Sequence, residues 1–303
     1  MPTGEPSGAA DIAVIMNAIK STSVAQLVAV PGVPFYVDAP ILVGGGQALL
    51  GGGASVYQVN PDADAVTVTG TGTLVMPRIE AVSLSGPGFG TGQGISAASS
   101  GGSSPIAHLS VRDVYILAFG GLGMDLRTVI ASKLSNIGAW NCGAGGFRLT
   151  GGTSVSASAL YANGCRGPGY QLNGMAYTHL DGCACDSSFL GYVLSAGVGV
   201  SLTACGAESL LAAAGYTGTA FTVSGQGHTL TSCYATNTPS HADSFWVTGG
   251  ARGATLTSCL EIGPLPGAAA SFRTDAGTSC LIQQPVYQTP MALAGTCEVT
   301  GGA

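Results

Sequence analysis

The sequence predicts an all-β fold, a right-handed parallel β-helix of about ten coils with a short amino-terminal capping helix. Three observations predict it. The stretch from Leu134 to Thr274 repeats with a period of about 23 residues, the mark of a stacked coil. Inside each repeat, apolar and small polar residues alternate as they do in half-buried strands. Glycine supplies 49 of the 303 residues while charged residues make up only 8%, which suits recurring turns and an exterior covered by Ser and Thr.

The repeat is plainest in Leu180-Asp181-Gly182-Cys183-Ala184-Cys185-Asp186 with Tyr192-Val193-Leu194. It returns as Leu202-Thr203-Ala204-Cys205 with Phe221-Thr222-Val223, as Leu230-Thr231-Ser232-Cys233 with Phe245-Trp246-Val247, and as Leu256-Thr257-Ser258-Cys259 with Phe272-Arg273-Thr274. Alternation places Val200, Leu202, Cys205 and Ala207 inside and Ser201, Thr203, Gly206 and Glu208 outside. Phe147, Tyr170, Tyr192, Phe221, Phe245 and Phe272 then form an aromatic ladder in the core. The cysteines at 183, 205, 233 and 259 share one inward column and read as small buried hydrophobes. Cys183-Ala184-Cys185 lacks the two-residue spacer of a zinc or redox motif.

In chain order, residues 1–24 are a leading segment and capping helix, and 25–303 the β-helix. Asp11 is placed to cap a helix whose Ile12, Ile15, Met16 and Ile19 form one apolar stripe. Such a helix would cover the core and unpaired strand edge of the first coil. Short β-runs follow, broken by Pro and Gly. Segment 86–104, rich in Gly and Ser, reads as a long loop. Later coils lengthen at 209–220, 237–244 and 263–270, all on one flank; such insertions build either a groove wall or a subunit contact. Beyond Thr274 the repeat decays, and the expected registration is lost.

A helix of the Asp11–Ile19 type, then Val30-Pro31-Gly32, Tyr36-Val37 and Leu50-Gly51-Gly52-Gly53, resembles the start of pectate-lyase-superfamily β-helices. That superfamily includes polygalacturonase-like hydrolases and the tailspikes of bacteriophages. The resemblance rests on motif over the first ~60 residues and on repeat period beyond them. It implies a glycan-active protein, tailspike-like and homotrimeric, that binds and cleaves a bacterial surface polysaccharide. A free-standing bacterial polysaccharide lyase, hydrolase or isomerase, or a non-catalytic structural solenoid, is the alternative. The superfamily's catalytic motifs do not carry over: Gly225-Gln226-Gly227-His228 departs from the hydrolases' Gly-His-Gly, and their other motifs are missing.

Outward columns supply the chemistry instead. Trp140, Asn163, Asp186, Glu208, Thr236 and Ile262 share one column, so Asp186 and Glu208 should be neighbours on adjacent coils, backbones about 5 Å apart. Carboxylates so spaced suit the nucleophile and acid of a retaining glycosidase, with Glu261 as a third acid nearby. They equally suit solvated strand ends or a shared cation. A second column puts Trp246 beside Arg273, a platform for a sugar and an anionic substituent or a Trp covered by a loop or subunit. His241 and Asp243 lie in a lengthened loop and could assist substrate binding. His179 and Asp181, with Ser156 and Ser158 one coil above, make a poor triad on a flat exposed ladder.

No cofactor is expected, and Ca²⁺ has no supporting motif. The net charge of −6 and pI of about 5.0 argue against a nucleic-acid partner. No apolar run approaches the ~18–20 residues of a membrane span. The opening Met1-Pro2-Thr3-Gly4-Glu5 has no basic region of a signal peptide, so cytoplasmic synthesis with virion association is expected.

Overall fold

The computed structural model describes residues 1–69, 74–98 and 105–301. The chain is an all-β parallel β-solenoid of about 10 turns with one short helix, Ala9–Thr22. It divides into two compact units, Met1–Val155 and Ser156–Ala303.

In the first unit the helix packs against strands Val24–Gln26, Phe35–Val37 and Ile41–Val43 through buried Ile15 and Ile19. Asp11 does not cap it. The cap position is Gly8, which makes no side-chain bond there. Asp11 is buried in the first turn, where its carboxylate accepts the amides of Thr3 (2.8 Å) and Tyr36 (2.9 Å). It ties the helix to the leading segment and the first coils. Strands Arg78–Ser85, Ser110–Leu117 and Lys133–Trp140 then stack in parallel register, Ile79 opposite Val111 and Val111 opposite Leu134. Within 86–104, read from sequence as loop, Ile95–Ala97 forms a strand between Val66–Val68 and Met124–Leu126. Its apolar ends, Ile95 and Ala97, are buried. Residues 99–104 lie outside the described residues.

In the second unit, from His179 to Thr274, each coil contributes two short strands separated by a bend, then a third. The bends fall at Gly182, Ala204, Ser232 and Ser258, all with left-handed backbones. A left-handed Ala or Ser costs about 1–2 kcal/mol, and the paired strands on either side offset it. Tyr170, Tyr192, Phe221, Phe245 and Phe272 stack down the core with centroid spacings of 4.4, 4.8, 4.8 and 4.9 Å and nearly parallel rings. The spacing matches the rise of the coils, so each ring repeats the position of the one before. Where the ladder residue is tyrosine, its hydroxyl is satisfied by backbone. Tyr192 donates to the Cys183 carbonyl (2.7 Å), and Tyr170 lies within 2.7 and 2.9 Å of the Leu160 and Ala184 carbonyls.

The predicted cysteine column is buried throughout; burial also pushes the thiol of Cys185, opposite Ala207 in a different inward column, up to about 12. The far end differs from expectation. Strand Ser279–Gln283 pairs in parallel with Arg252–Thr257, with one register shift between Arg252 and Ala254, and with Thr296–Thr300, so registration continues past Thr274. Cys280 and Cys297 face each other there and form a disulfide.

Candidate functional site

Asp186 and Glu208 end two short strands, Ala184–Asp186 and Gly206–Glu208, and stand directly opposite each other. Both are half-buried. Their inward neighbours Cys185 and Ala207 anchor the strands in the core, and alternation turns the carboxylates outward. Each acid has a tyrosine from a neighbouring coil. Tyr161 approaches Asp186 Oδ2 at 3.4 Å, and Tyr234 donates to Glu208 Oε1 at 2.7 Å. Asn163 Nδ2 adds a bond to Asp186 Oδ2 (3.2 Å), and Ser187 Oγ donates to Oδ1 (3.0 Å). Burial and then the Glu208 hydrogen bond push the Tyr234 phenol up to about 12; burial likewise raises Tyr161. Both phenols therefore keep their protons at neutral pH and act as donors.

Tyr161 and Tyr234 were missed in the sequence, although the signal was present. They lie two residues before Asn163 and Thr236, in the outward column that also holds Ala184 and Gly206. Gly206 leaves the space that the Tyr234 ring enters.

Glu261 does not join this group. Its register partner is Ala235, which in turn faces Ala207, so it belongs to the inward column and is 1% exposed. Its Oε1 accepts Ser244 Oγ (2.6 Å), and Oε2 accepts the amides of Gln288 (3.1 Å) and Thr289 (2.7 Å). These bonds fasten the 288–289 segment to the core.

The Trp246–Arg273 pair forms as expected from register, but the guanidinium covers the ring, its carbon 4.7 Å from the centroid. Trp246 Nε1 also donates to Asp275 Oδ1 at 3.0 Å. Asp243 is not a loop residue: it opens strand Asp243–Val247, is buried, and pairs with Arg273 at 3.4 Å. Burial raises its carboxyl above the usual range. His241 is exposed at a left-handed bend, its backbone amide held by the Gly267 carbonyl. His179 Nδ1 bonds Ser201 Oγ at 2.8 Å, on the next coil rather than on that of Ser156 and Ser158. His228 is a satisfied core residue, accepting the Val200 amide and donating to the Ser224 carbonyl. Among the described residues no three His, Cys, Asp or Glu side chains gather to hold a metal ion. No helix of the described residues is long and apolar enough to cross a membrane.

No protein-family model matches the sequence, and no curated protein does either. Solved structures do share its fold. The tailspike protein of Acinetobacter baumannii phage AM24 superposes with a TM-score of 0.60 at 9% identity, over 96% of this chain and 51% of that one. The catalytic domain of a GH87 α-1,3-glucanase, solved with nigerose, gives 0.58 at 12% identity, over 95% of this chain and 63% of that one. The A-module of the Azotobacter vinelandii mannuronan C-5 epimerase AlgE4 gives 0.55 at 11% identity, over 96% and 95%. The chain thus spans little more than half of the tailspike and nearly all of the epimerase module. At these identities the likeness is one of fold: the chain is a parallel β-helix of the architecture seen in tailspikes and in carbohydrate-active enzymes.

Proposed function

We propose that this chain is a tailspike-type β-helix that binds a bacterial surface polysaccharide and hydrolyses it at Asp186 and Glu208. The observation that carries the proposal is the pair itself. Two outward carboxylates stand in direct register, each held by a tyrosine. Adjacent coils are ~4.8 Å apart, close to the ~5–5.5 Å between the two carboxyl groups of a retaining glycosidase. The phage tailspike and the glucanase, the latter named for its glycan substrate, share the fold.

In this mechanism Asp186, fixed by three side-chain donors, attacks the anomeric carbon. Glu208, held at one oxygen by Tyr234, delivers a proton to the departing glycosidic oxygen as the C–O bond breaks. Water then attacks the glycosyl–Asp186 ester while Glu208 takes the water's proton, which returns both carboxyls to their starting states. The exposed Leu211 and Leu265 in the lengthened loops supply apolar contacts for a homotrimer, the assembly that fits a virion-borne tailspike.

The test is depolymerisation of a panel of bacterial capsular and O-antigen polysaccharides. Asp186→Asn and Glu208→Gln should each lower the rate by about 10²–10⁴-fold while leaving glycan binding intact. Degradation by both variants at the parent rate would remove the carboxylates from the mechanism. Analytical ultracentrifugation reads the trimer directly.

A further inference from the structure

A second arrangement of outward groups lies wholly within the first unit. Tyr115 on strand Ser110–Leu117 stands opposite Gly138 on strand Lys133–Trp140. A Cβ at Gly138 would collide with the six-membered ring of Trp140, so the indole is folded back along its own strand to cover the bare glycine. There it stacks on Tyr115, centroids 4.1 Å apart and planes 27° apart. On its other side Tyr115 faces Ser83, which faces Ser55, so its register partners there are small. Tyr115 is 41% exposed.

Beside the rings, Asn136 Nδ2 donates to Asp113 Oδ1 at 2.8 Å. Both residues are exposed, at left-handed bends of the same two strands. Asp113, Asn136, Tyr115, Gly138 and Trp140 together line a depression of ≈ 240 Å³.

We propose that Tyr115, Trp140, Asp113 and Asn136 form a saccharide platform that takes a neutral pyranose unit of the polysaccharide. The inference rests on the polysaccharide reading above and adds a binding site that works without the carboxylate pair. A pyranose presents an apolar C–H face ringed by hydroxyls. The open face of Tyr115, backed by the stacked Trp140, meets that face, and the Asp113–Asn136 pair meets the hydroxyls as acceptor and donor. Two other occupants fit poorly. A stable protein partner needs about 1,200 Å² or more of buried surface, far beyond two rings and a polar pair. A nucleic-acid base would bring phosphate next to Asp113, and the nearby Arg112 is already engaged by Glu80 at 2.9 Å.

The sequence holds only two tryptophans, Trp140 and Trp246. In an Asp186→Asn/Glu208→Gln/Trp246→Phe background, cleavage is blocked and Trp140 is the sole tryptophan reporter. Each capsular or O-antigen polysaccharide of the panel is titrated by calorimetry and by tryptophan emission. A polysaccharide that binds should shift Trp140 emission saturably. Tyr115→Ser should weaken its affinity at least tenfold, and Asn136→Ala by a smaller factor, with circular dichroism unchanged. Undiminished binding by Tyr115→Ser, or calorimetric binding with unmoved Trp140 emission, overturns the platform and leaves the polysaccharide reading standing. Should the Asp186→Asn/Glu208→Gln protein with Trp246 retained bind no member of the panel, both fall together. Binding by that protein but not by the triple variant assigns recognition to Trp246 and overturns the platform alone.

Discussion

The ring of Tyr234 lies across the backbone of Gly206, its partner on the adjacent coil, and reaches Glu208 only because Gly206 has no side chain. A Cβ there would collide with the ring and its hydroxyl. Gly206→Ala should therefore displace Tyr234 and break its bond to Glu208. Overpacking of this kind costs about 1–3 kcal/mol, so the fold should survive. With ¹³C-labelled tyrosine, the Tyr234 phenol, pushed up to about 12 by burial and Glu208, should return towards its ordinary value. In a double-mutant cycle, Gly206→Ala should cost much less activity when Tyr234 is already Ala. Additive losses would show that the glycine acts by another route.

The aromatic ladder carries a second prediction. Phe221 sits mid-stack, 4.8 Å from both Tyr192 and Phe245, and is fully buried. Phe221→Ala should destabilise the protein by about 3–5 kcal/mol. Tyr192→Phe keeps the stack and loses only the hydroxyl's bond to the Cys183 carbonyl, a cost of about 1 kcal/mol plus the unmet acceptor. Denaturant unfolding of the two variants measures the difference, and equal losses would mean that the stack is not the stabilising element.

The period in the sequence was enough to place Asp186 opposite Glu208 and to order the aromatic ladder, because strand register converts a residue number into a position. Side-chain direction within a column was not legible in the same way. Trp140 folds back over Gly138 on its own strand, and Arg273 lies on Trp246 of the adjacent coil, contacts that alternation does not specify. Glu261, read as an acid near the outward pair, is buried: its position two residues after Cys259 is an inward one, shared with Ala207 and Ala235. A buried carboxylate runs against the usual cost of desolvation. Only three donors from distant parts of the chain make it tolerable, and two of them lie in the segment where the repeat was no longer visible. The disulfide was hidden for the same reason, since Cys297 falls on a coil whose register could not be read.

Those donors define the third prediction. Glu261→Ala strands the Ser244 hydroxyl and the Gln288 and Thr289 amides, and should lower stability by about 2–4 kcal/mol. Glu261→Gln should be far milder. Its oxygen can accept both amides while its amino group donates to Ser244. Glycan depolymerisation assayed beside thermal melts decides its role: the expectation is that Gln keeps both activity and stability near the parent's, whereas loss of activity by Gln at an unchanged melting temperature would make Glu261 catalytic.

The last prediction concerns acid stability. Burial alone would raise the carboxyl of Asp125, yet hydrogen bonds from Arg148 (2.9 and 2.7 Å) and Arg127 (3.0 Å) outweigh it and hold the group below its ordinary value. A carboxyl lowered in the folded state stabilises the fold fully above the ordinary carboxylate range. That contribution disappears as pH falls through the folded-state value, where the native protein must take up the proton. Asp125→Asn should therefore be less stable than the parent at neutral pH, by about 1–3 kcal/mol since both arginines stay partly solvated. The gap should close as the pH falls below about 4. Buried Asp243 should behave oppositely: burial raises its carboxyl despite Arg273, so its ionisation weakens the fold as pH rises through the folded-state value. Urea unfolding of the parent and Asp125→Asn from neutral to acid pH tests the assignment. A stability gap that did not narrow in acid would show that the Asp125–arginine cluster is not held by charge.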